Sequence, residues 1–256
     1  MQRLFPRPGP GATRESLDEV LGLADAYAYP AGGPPGTPYL RANMVSALDG
    51  AARAEGRSAP LSSPGDMRLF GTLRGLADLV LVGAETVRQE GYRPAKVRDV
   101  FAARREAAGQ SPAPAVAVIS RRLDLDFTAP LFTSPAVPTL VLTGAGAPAD
   151  VVAGARKAGA QVVIAGEGDA VDPVRALREL GALGFTRLLH EGGPRILAQF
   201  AAADVLDELC LTLSPLLTGG DAPRIMNGPG VLPPSRFTPL SILEEDGFLF
   251  TRYVRA

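Results

Sequence analysis

Short apolar runs alternate with amphipathic patterns through most of the chain. Runs typical of buried strands occur at 39–45, 79–82, 115–119, 139–143, 161–165 and 187–190. Helices are predicted near 64–75, 84–89, 149–158, 172–183 and 194–202. Because parallel strands need crossover helices that cover both faces of the sheet, this alternation predicts an α/β fold with three layers and a mainly parallel central sheet.

The two ends of the chain differ from this pattern. After a predicted strand at 207–214, strands at 240–243 and 248–254 flank Glu244-Glu245-Asp246-Gly247, a sequence typical of a hairpin turn, so we expect an antiparallel edge hairpin. Residues 1–37 are predicted to be an extension, with a short helix at 14–27 and a linker rich in proline and glycine. One domain is expected over 38–256, with 92–114 as a surface excursion that is partly helical around 97–108.

Composition narrows the functional classes. The 256 residues carry a formal net charge of -1 and no dense basic run, which argues against nucleic acid as a partner. No apolar run reaches the ~20 residues of a membrane span, and prolines interrupt the amino-terminal stretch where a signal peptide would be apolar. We therefore expect a cytoplasmic protein that acts on a small molecule and has no membrane partner.

The sequence offers few groups for nucleophilic or metal chemistry. The single cysteine, Cys210, lies between two leucines and is expected to be a buried, inert thiol. The single histidine, His190, lies in an apolar strand, where a core residue is favoured over a general acid. Motifs for a metal site, a P-loop, a zinc deaminase or an α/β-hydrolase nucleophile are absent from the sequence, so no metal cofactor is expected.

Glycine-containing segments follow several predicted strands. Gly83 ends one strand just before a helix, and Gly192-Gly193 precede Pro194, which suits a first helical turn. The free backbone amides of such turns bind phosphates or a cofactor carboxamide, and Thr143 at another strand end can add a contact. Since the spacing differs from G-x-G-x-x-G, an ordinary Rossmann domain is disfavoured.

Polar residues also follow the first strand of the main domain. Asn43, Ser46 and Asp49 are spaced three residues apart, but Asp49-Gly50 is equally typical of an ordinary loop, so a site and a turn both stay open. Downstream, Ser63 before Pro64 predicts a helix N-cap, whereas Ser58 and Ser62 have no capping role.

Four segments in this order carry a resemblance: N-M-V-S-A-L-D-G, S-A-P-L-S-S-P-G-D, L-R-G-L-A-D-L-V-L-V-G-A-E-T-V, and H-E-G-G-P followed by D-E-L-C-L-T-L-S-P-L-L-T-G-G. Over about residues 39–254 the chain resembles the pyrimidine reductase family of riboflavin biosynthesis. The resemblance implies a dihydrofolate-reductase-like fold, NADPH as hydride donor and commonly a homodimer. In the family reaction, hydride passes to ribose C1′ of 5-amino-6-(5-phosphoribosylamino)uracil and gives the ribitylamino product.

The resemblance assigns roles where the motifs match. It places NADPH contacts at Gly83, Ala84, Thr86, Val87, Ser120, Thr143, Gly192, Gly193 and Pro194. Substrate contacts are expected at Asn43, Ser46, Asp49, Ser58, Ser62, Arg74 and Glu191. Asp49 and Glu90 are the candidates for the catalytic acid that polarises the substrate.

The chain departs from the family pattern after Thr86. Members that use the phosphorylated substrate usually have an Asp, then a Pro, then a Thr-x-Arg that binds the phosphate, whereas this chain has R-Q-E-G-Y-R-P over 88–94. Glu90 can replace the acid, and Arg93 or Arg88 can replace the phosphate clamp. Reduction of dihydrofolate and non-catalytic nucleotide binding stay open as alternative functions.

Overall fold

The computed structural model describes residues 1–6, 16–17, 19–31, 34 and 36–256. The strands are β1 (Gln2–Phe5), β2 (Tyr39–Ala47), β3 (Leu79–Gly83), β4 (Ala115–Ile119), β5 (Leu140–Thr143), β6 (Gln161–Ile164), β7 (Arg187–His190), β8 (Glu208–Ser214), β9 (Phe237–Glu245) and β10 (Phe248–Arg255). The helices are α1 (Val20–Ala26), α2 (Pro64–Leu76), α3 (Ala84–Glu90), α4 (Asp99–Ala107), α5 (Pro130–Thr133), α6 (Ala149–Lys157), α7 (Pro173–Ala182) and α8 (Pro194–Ala202), with a 3-10 turn at Ala59–Leu61. Within the described ranges, none of these helices has the length and apolar character needed to cross a membrane.

The chain forms two compact units. One of them, the parallel unit, consists of Tyr29–Tyr39 and Arg74–Gly193. Its strands pair in parallel in the order β7-β3-β4-β5-β6. Every residue of β3 and β4 is buried, which explains why these strands have continuous apolar runs and no alternation. The predicted parallel sheet is confirmed.

The other unit, the hairpin unit, consists of Met1–Ala28, Leu40–Leu73 and Pro194–Ala256. Here β9 and β10 form an antiparallel hairpin. Strand β10 also pairs antiparallel with β8, and β8 pairs in parallel with β2. Asp246 and Gly247 both have positive φ, at 52° and 81°, as a tight hairpin turn requires. The antiparallel hairpin predicted from the turn sequence is confirmed.

The amino-terminal helix is shorter than the sequence pattern predicts. Residues 14, 15 and 18 lie outside the described residues, and the helix begins at Val20. Ser16 pairs with Gln2, and the Leu17 amide donates to the Met1 carbonyl at 2.8 Å. Leu17 is buried where this segment pairs beside β1, a strand that the sequence pattern does not predict.

The stretch 92–114 contains the predicted helix, α4, but the prediction of a surface excursion is wrong for its inner face. Phe101 is fully buried, and its ring lies where a Cβ on Gly75 would meet it at 2.5 Å. Arg105 is 2% exposed and donates to the carbonyls of Gly75 and Ala77 at 3.0 and 2.8 Å. Carbonyls at the end of a helix have no donor within the helix. Arg105 supplies one, and this contact holds the segment against the end of α2.

A buried charge cluster joins three strands of the hairpin unit. Glu208 on β8 lies 2.6 Å from Arg41 Nε and 2.7 Å from Arg252 Nε. Arg252 also donates to the carbonyls of Ala26 and Ala28, at 2.7 and 3.2 Å, where α1 has just ended. Guanidinium groups satisfy carbonyls left open at a helix end, so residues 20–28 pack within this unit. The domain boundary at 38 stays a prediction.

Candidate active site

The carboxyl ends of neighbouring parallel strands lie along one edge of the parallel unit. Gly83, at the end of β3, donates its amide to the Gly192 carbonyl at 3.0 Å, and the Ser120 amide after β4 donates to the Leu142 carbonyl of β5 at 3.0 Å. Thr143 ends β5 and is buried. The structure thus brings most of the expected cofactor residues to the edge where open α/β sheets bind ligands.

Helix α3 continues directly from β3. Gly83 is its N-cap residue in an extended conformation, and Ala84 is buried in its first turn. Thr86 is half-buried, whereas the Val87 side chain packs against the hydrophobic core that includes Val82. The amides of the first turn have no partners within the helix, so backbone contacts are available here to an acceptor.

The turn after β7 is restricted to glycine. Gly192 has a φ of 96°, which L side chains rarely adopt. A Cβ on Gly193 would lie 2.9 Å from Thr86 Oγ1, too close for an ordinary side chain. Because neither glycine has a side chain, the backbone of this turn can be approached closely, as a cofactor phosphate requires. Pro194 begins α8 in the hairpin unit, where its carbonyl accepts from the Asn227 amide at 3.2 Å.

His190 supports this turn from within the core. It is fully buried, and its Nδ1 accepts the Gly192 N–H at 3.0 Å. Burial lowers the pKa of His190 to about 3, so the imidazole is uncharged at neutral pH. This agrees with the expectation of a core residue and adds a role in holding Gly192.

The lowered pKa predicts an acid-dependent stability. Since the folded pKa lies below the unfolded value of about 6.5, the unfolded state binds the extra proton and stability falls as the pH drops through 6.5 towards 3. Between pH 7.5 and 5.5, wild type should lose about 1.4 kcal/mol more than His190→Asn, whose amide oxygen can still accept from Gly192. Urea unfolding at both pH values measures this; equal losses would contradict the assignment.

Arg74, Tyr92 and Glu191 form a hydrogen-bonded cluster in the parallel unit. The Glu191 side chain is 2% exposed, and its carboxylate accepts hydrogen bonds from Arg74 Nε at 2.7 Å and from Arg74 Nη2 at 2.6 Å. The Tyr92 hydroxyl donates to Glu191 Oε2 at 2.5 Å, and the Arg74 guanidinium lies 5.3 Å from the centre of the Tyr92 ring. Burial raises the pKa of Tyr92, so its hydroxyl stays a donor. Burial acts to lower the pKa of Arg74, but the Glu191 charge outweighs it and the pKa is raised.

Asp49 organises a loop of the hairpin unit. Its Oδ2 accepts the amides of Thr218 and Gly219 at 2.9 and 2.7 Å, and its Oδ1 accepts the Ala51 amide at 3.3 Å. Backbone hydrogen bonds, first that of Gly219, lower the pKa of this exposed carboxyl. A carboxylate held in this way can polarise a substrate but is a poor proton donor at neutral pH. Its catalytic role stays a prediction.

Asp66 links α2 to β8 through hydroxyl groups. Its carboxylate accepts from Ser62 Oγ at 2.5 Å and from Thr212 Oγ1 at 2.7 Å, and its amide donates to Ser63 Oγ at 3.1 Å. The predicted N-cap at Ser63 is confirmed. Ser62 has a partner that sequence analysis missed, while Ser58 begins the 3-10 turn with its carbonyl accepting from the Leu61 amide at 2.9 Å.

Two further expected substrate residues lie on β2. Ser46 is buried and donates to the Ala47 carbonyl at 2.7 Å. The Oδ1 atom of Asn43 is buried, and within the described part of the chain it has no hydrogen-bond partner. An unsatisfied buried amide oxygen is costly, so Asn43 is suited to accept an N–H from a ligand.

The charged residues of the altered run, Arg88, Glu90 and Arg93, are exposed. Glu90 is the last residue of α3, and Arg93 lies in the loop beyond it. Arg88 donates to Glu85 Oε2 at 2.9 Å and to the Asp124 carbonyl at 2.6 Å. Arg88 is therefore already engaged as an ion-pair partner.

Residues 38–245 match the RibD C-terminal domain family. The chain is 29% identical over 216 residues to a 2,5-diamino-6-ribosylamino-4(3H)-pyrimidinone 5′-phosphate reductase of Archaeoglobus fulgidus, covering 84% of this chain and 97% of that protein. A Methanothermobacter thermautotrophicus protein of the same name is 31% identical over 195 residues, covering 76% and 86%. A solved pyrimidine reductase-like protein of Corynebacterium diphtheriae superposes with a TM-score of 0.76 and 25% identity, covering 91% and 98%.

Proposed function

The chain belongs to the RibD C-terminal domain family, and on that premise we propose that it is an NADPH-dependent reductase of riboflavin biosynthesis. The proposed substrate is 5-amino-6-(5-phosphoribosylamino)uracil, reduced at ribose C1′ to the ribitylamino product. The Archaeoglobus and Methanothermobacter proteins are named for a 2,5-diamino-pyrimidinone with a ribosylamino 5′-phosphate. Both compounds carry the ribosylamine, so the reaction is the same and the ring substituent distinguishes the substrates.

The observation that carries the proposal is the glycine-restricted turn on the strand-end edge. A Cβ on Gly193 would meet Thr86 Oγ1 at 2.9 Å, and Gly192 is held by both His190 and Gly83. This backbone fits an approaching pyrophosphate, with Ser120 directly after β4 and Thr143 at the end of β5 on the same edge. When bound, the nicotinamide supplies the hydride. The preference for NADPH over NADH rests on the family resemblance.

The chain's own residues then bind and orient the pyrimidine. Asn43 offers an unsatisfied amide oxygen, which suits a ring N–H or amino group. Arg93 is the better of the two candidate phosphate clamps because Arg88 already pairs with Glu85. The ionised Asp49 carboxylate is suited to stabilise positive charge on an imine form of the substrate, while Glu90 is an exposed candidate for the proton donor.

The function is tested by following the loss of NADPH absorbance with purified protein. The protein is supplied separately with the phosphoribosylamino-uracil, with its 2-amino counterpart and with dihydrofolate. We expect turnover of the phosphoribosylamino-uracil or of its 2-amino counterpart, and no turnover of dihydrofolate. Turnover of dihydrofolate alone, with competitive inhibition by antifolates, would replace the proposal by a folate reductase. NADPH binding without turnover of any of the three would indicate a non-catalytic nucleotide-binding protein.

The proposed assembly is a homodimer formed through the sheet of the hairpin unit. The two faces of β8 differ in burial. One face is buried and carries Glu208, Cys210, Thr212 and Ser214, whereas the other face carries three leucines that are only half-buried, Leu209, Leu211 and Leu213. Leu249 and Tyr253 of β10 lie directly opposite two of these leucines and are also half-buried. Partners opposite each other share one face, so this apolar face suits a second copy.

Replacing Leu211 by glutamate should separate the dimer, because a charge would be buried in the apolar face. In sedimentation equilibrium, wild type should have about twice the chain mass and Leu211→Glu the mass of one chain. The control is Leu183→Glu, which changes a leucine 44% exposed at the end of α7 in the parallel unit and should leave the dimer intact. A monomeric wild type would refute the assembly.

A further inference from the structure

Tyr92 is fixed by contacts on both sides of its ring. Gly91, the residue that caps the end of α3, is in the left-handed conformation, and the Tyr92 amide donates back to the Val87 carbonyl at 3.1 Å. The ring packs against the core that contains Val82 and Ala95. The hydroxyl end of the side chain contacts Glu191. The altered run 88–94 therefore places one hydrogen-bond donor, the Tyr92 hydroxyl, against the Glu191 carboxylate.

The hydrogen bonds that the described residues donate to Glu191 leave it a single acceptor position. A carboxylate has about four acceptor sites. Arg74 occupies two of them through Nε and Nη2, and the Tyr92 hydroxyl occupies a third on Oε2. Glu191 directly follows β7 and precedes the Gly192-Gly193 turn, so its backbone lies at the strand-end edge.

The charge of the cluster determines what this site can bind. The Arg74 guanidinium and the Glu191 carboxylate form a bidentate ion pair and neutralise one another. The guanidinium is further held over the Tyr92 ring at 5.3 Å. The cluster has no free positive charge for a phosphate, and its open site accepts a hydrogen bond. A neutral N–H or O–H donor fits it, and an anion does not.

We propose that Tyr92 is a positioning residue: its hydroxyl directs the Glu191 carboxylate, a substrate contact that the family resemblance already implies, towards one N–H or O–H of the ribosylamine part of the substrate. The proposal rests on the proposed function and assigns Tyr92, which lies in the run that departs from the family pattern, to the substrate site. Without the hydroxyl, the carboxylate has two open sites and binds water or substrate in more than one way.

The test compares wild type with Tyr92→Phe, which keeps the ring, its packing and its stacking on Arg74. Both are assayed with the phosphorylated substrate and its dephosphorylated analogue. We expect kcat/KM to fall about tenfold, mainly through KM and by the same factor for both compounds, with the Kd of NADPH within about twofold of wild type. Tyr29→Phe is the matched control, because it removes a hydroxyl that donates to the Leu188 carbonyl at 3.0 Å in the same unit; it should keep wild-type kinetics.

A second comparison separates positioning from a merely structural role. In a Glu191→Gln background, Tyr92→Phe should change kcat/KM by less than about twofold, since the partner of the hydroxyl has already changed. Wild-type kinetics in Tyr92→Phe, or a loss confined to the phosphorylated substrate, would overturn the inference and leave the proposed function standing. A wild-type protein that turns over neither pyrimidine would overturn the proposed function and this inference together.

Discussion

Replacing Gly193 by aspartate is expected to weaken NADPH binding by about 3 kcal/mol, which is roughly a 150-fold rise in Kd. Two effects add up. A Cβ at this position would lie 2.9 Å from Thr86 Oγ1, so the Thr86 side chain must rotate or the turn must move. The new carboxylate would also face the phosphates of the cofactor in a confined place, where like charges repel strongly. Fluorescence titration of NADPH measures the change.

Two variants make this result specific. Gly193→Ala adds only the Cβ and should have a smaller loss than aspartate, which separates the steric from the charge effect. Gly154→Asp adds the same charge on α6, where a Cβ meets nothing within 4 Å, and should keep wild-type affinity. An unchanged Kd in Gly193→Asp would remove Gly193 from the cofactor site.

Replacing Glu208 by glutamine should lower the free energy of unfolding by about 3–5 kcal/mol. The Glu208 and Arg41 side chains are fully buried, and Arg252 is 8% exposed. Glutamine has nearly the same shape but removes the negative charge that Glu208 supplies to two buried guanidinium groups. Because small proteins are stable by only about 5–15 kcal/mol, this is a large part of the total.

Urea unfolding of wild type and Glu208→Gln at neutral pH measures the loss. The control is Glu179→Gln, which removes a carboxylate that is 33% exposed and lies 2.8 Å from Arg178 on α7; it should change stability by less than about 1 kcal/mol. Equal stability of the Glu208→Gln protein and wild type would show that the cluster does not hold the hairpin unit together.

The parallel sheet was the most predictable part of the fold. The bounds of β4 and β7 agree with the sequence prediction because short apolar runs between polar segments have few alternative pairings. The charge cluster around Glu208 was not predictable, because Arg41 and Glu208 are 167 positions apart and only the folded topology joins them. Strand β1 was missed for the same reason, since its partner β9 lies at the other end of the chain.

In the candidate site, too, features with a local sequence signal could be predicted and contacts formed only on folding could not. Glycine turns after strands could be predicted, because glycine and strand-to-helix junctions are local signals, and the structure brings Gly83 and Gly192 together. Tyr92 was not predicted, because a tyrosine in a polar loop has no local signature of a buried hydroxyl contact. Its one signal was its position in the run that departs from the family pattern. Likewise, the sequence predicted the helix start at Ser63 but not the hydrogen bond that Thr212 donates to the Asp66 carboxylate.

The most direct test of the central claim traces the hydride itself. Wild-type protein is supplied with NADPH that carries deuterium on nicotinamide C4, in separate reactions for each face, together with 5-amino-6-(5-phosphoribosylamino)uracil or its 2-amino counterpart. Mass spectrometry and NMR of the product should locate one deuterium on C1′ of a ribitylamino compound in one of the two labelled reactions. A product without deuterium at C1′, or no product despite cofactor binding, would contradict the account.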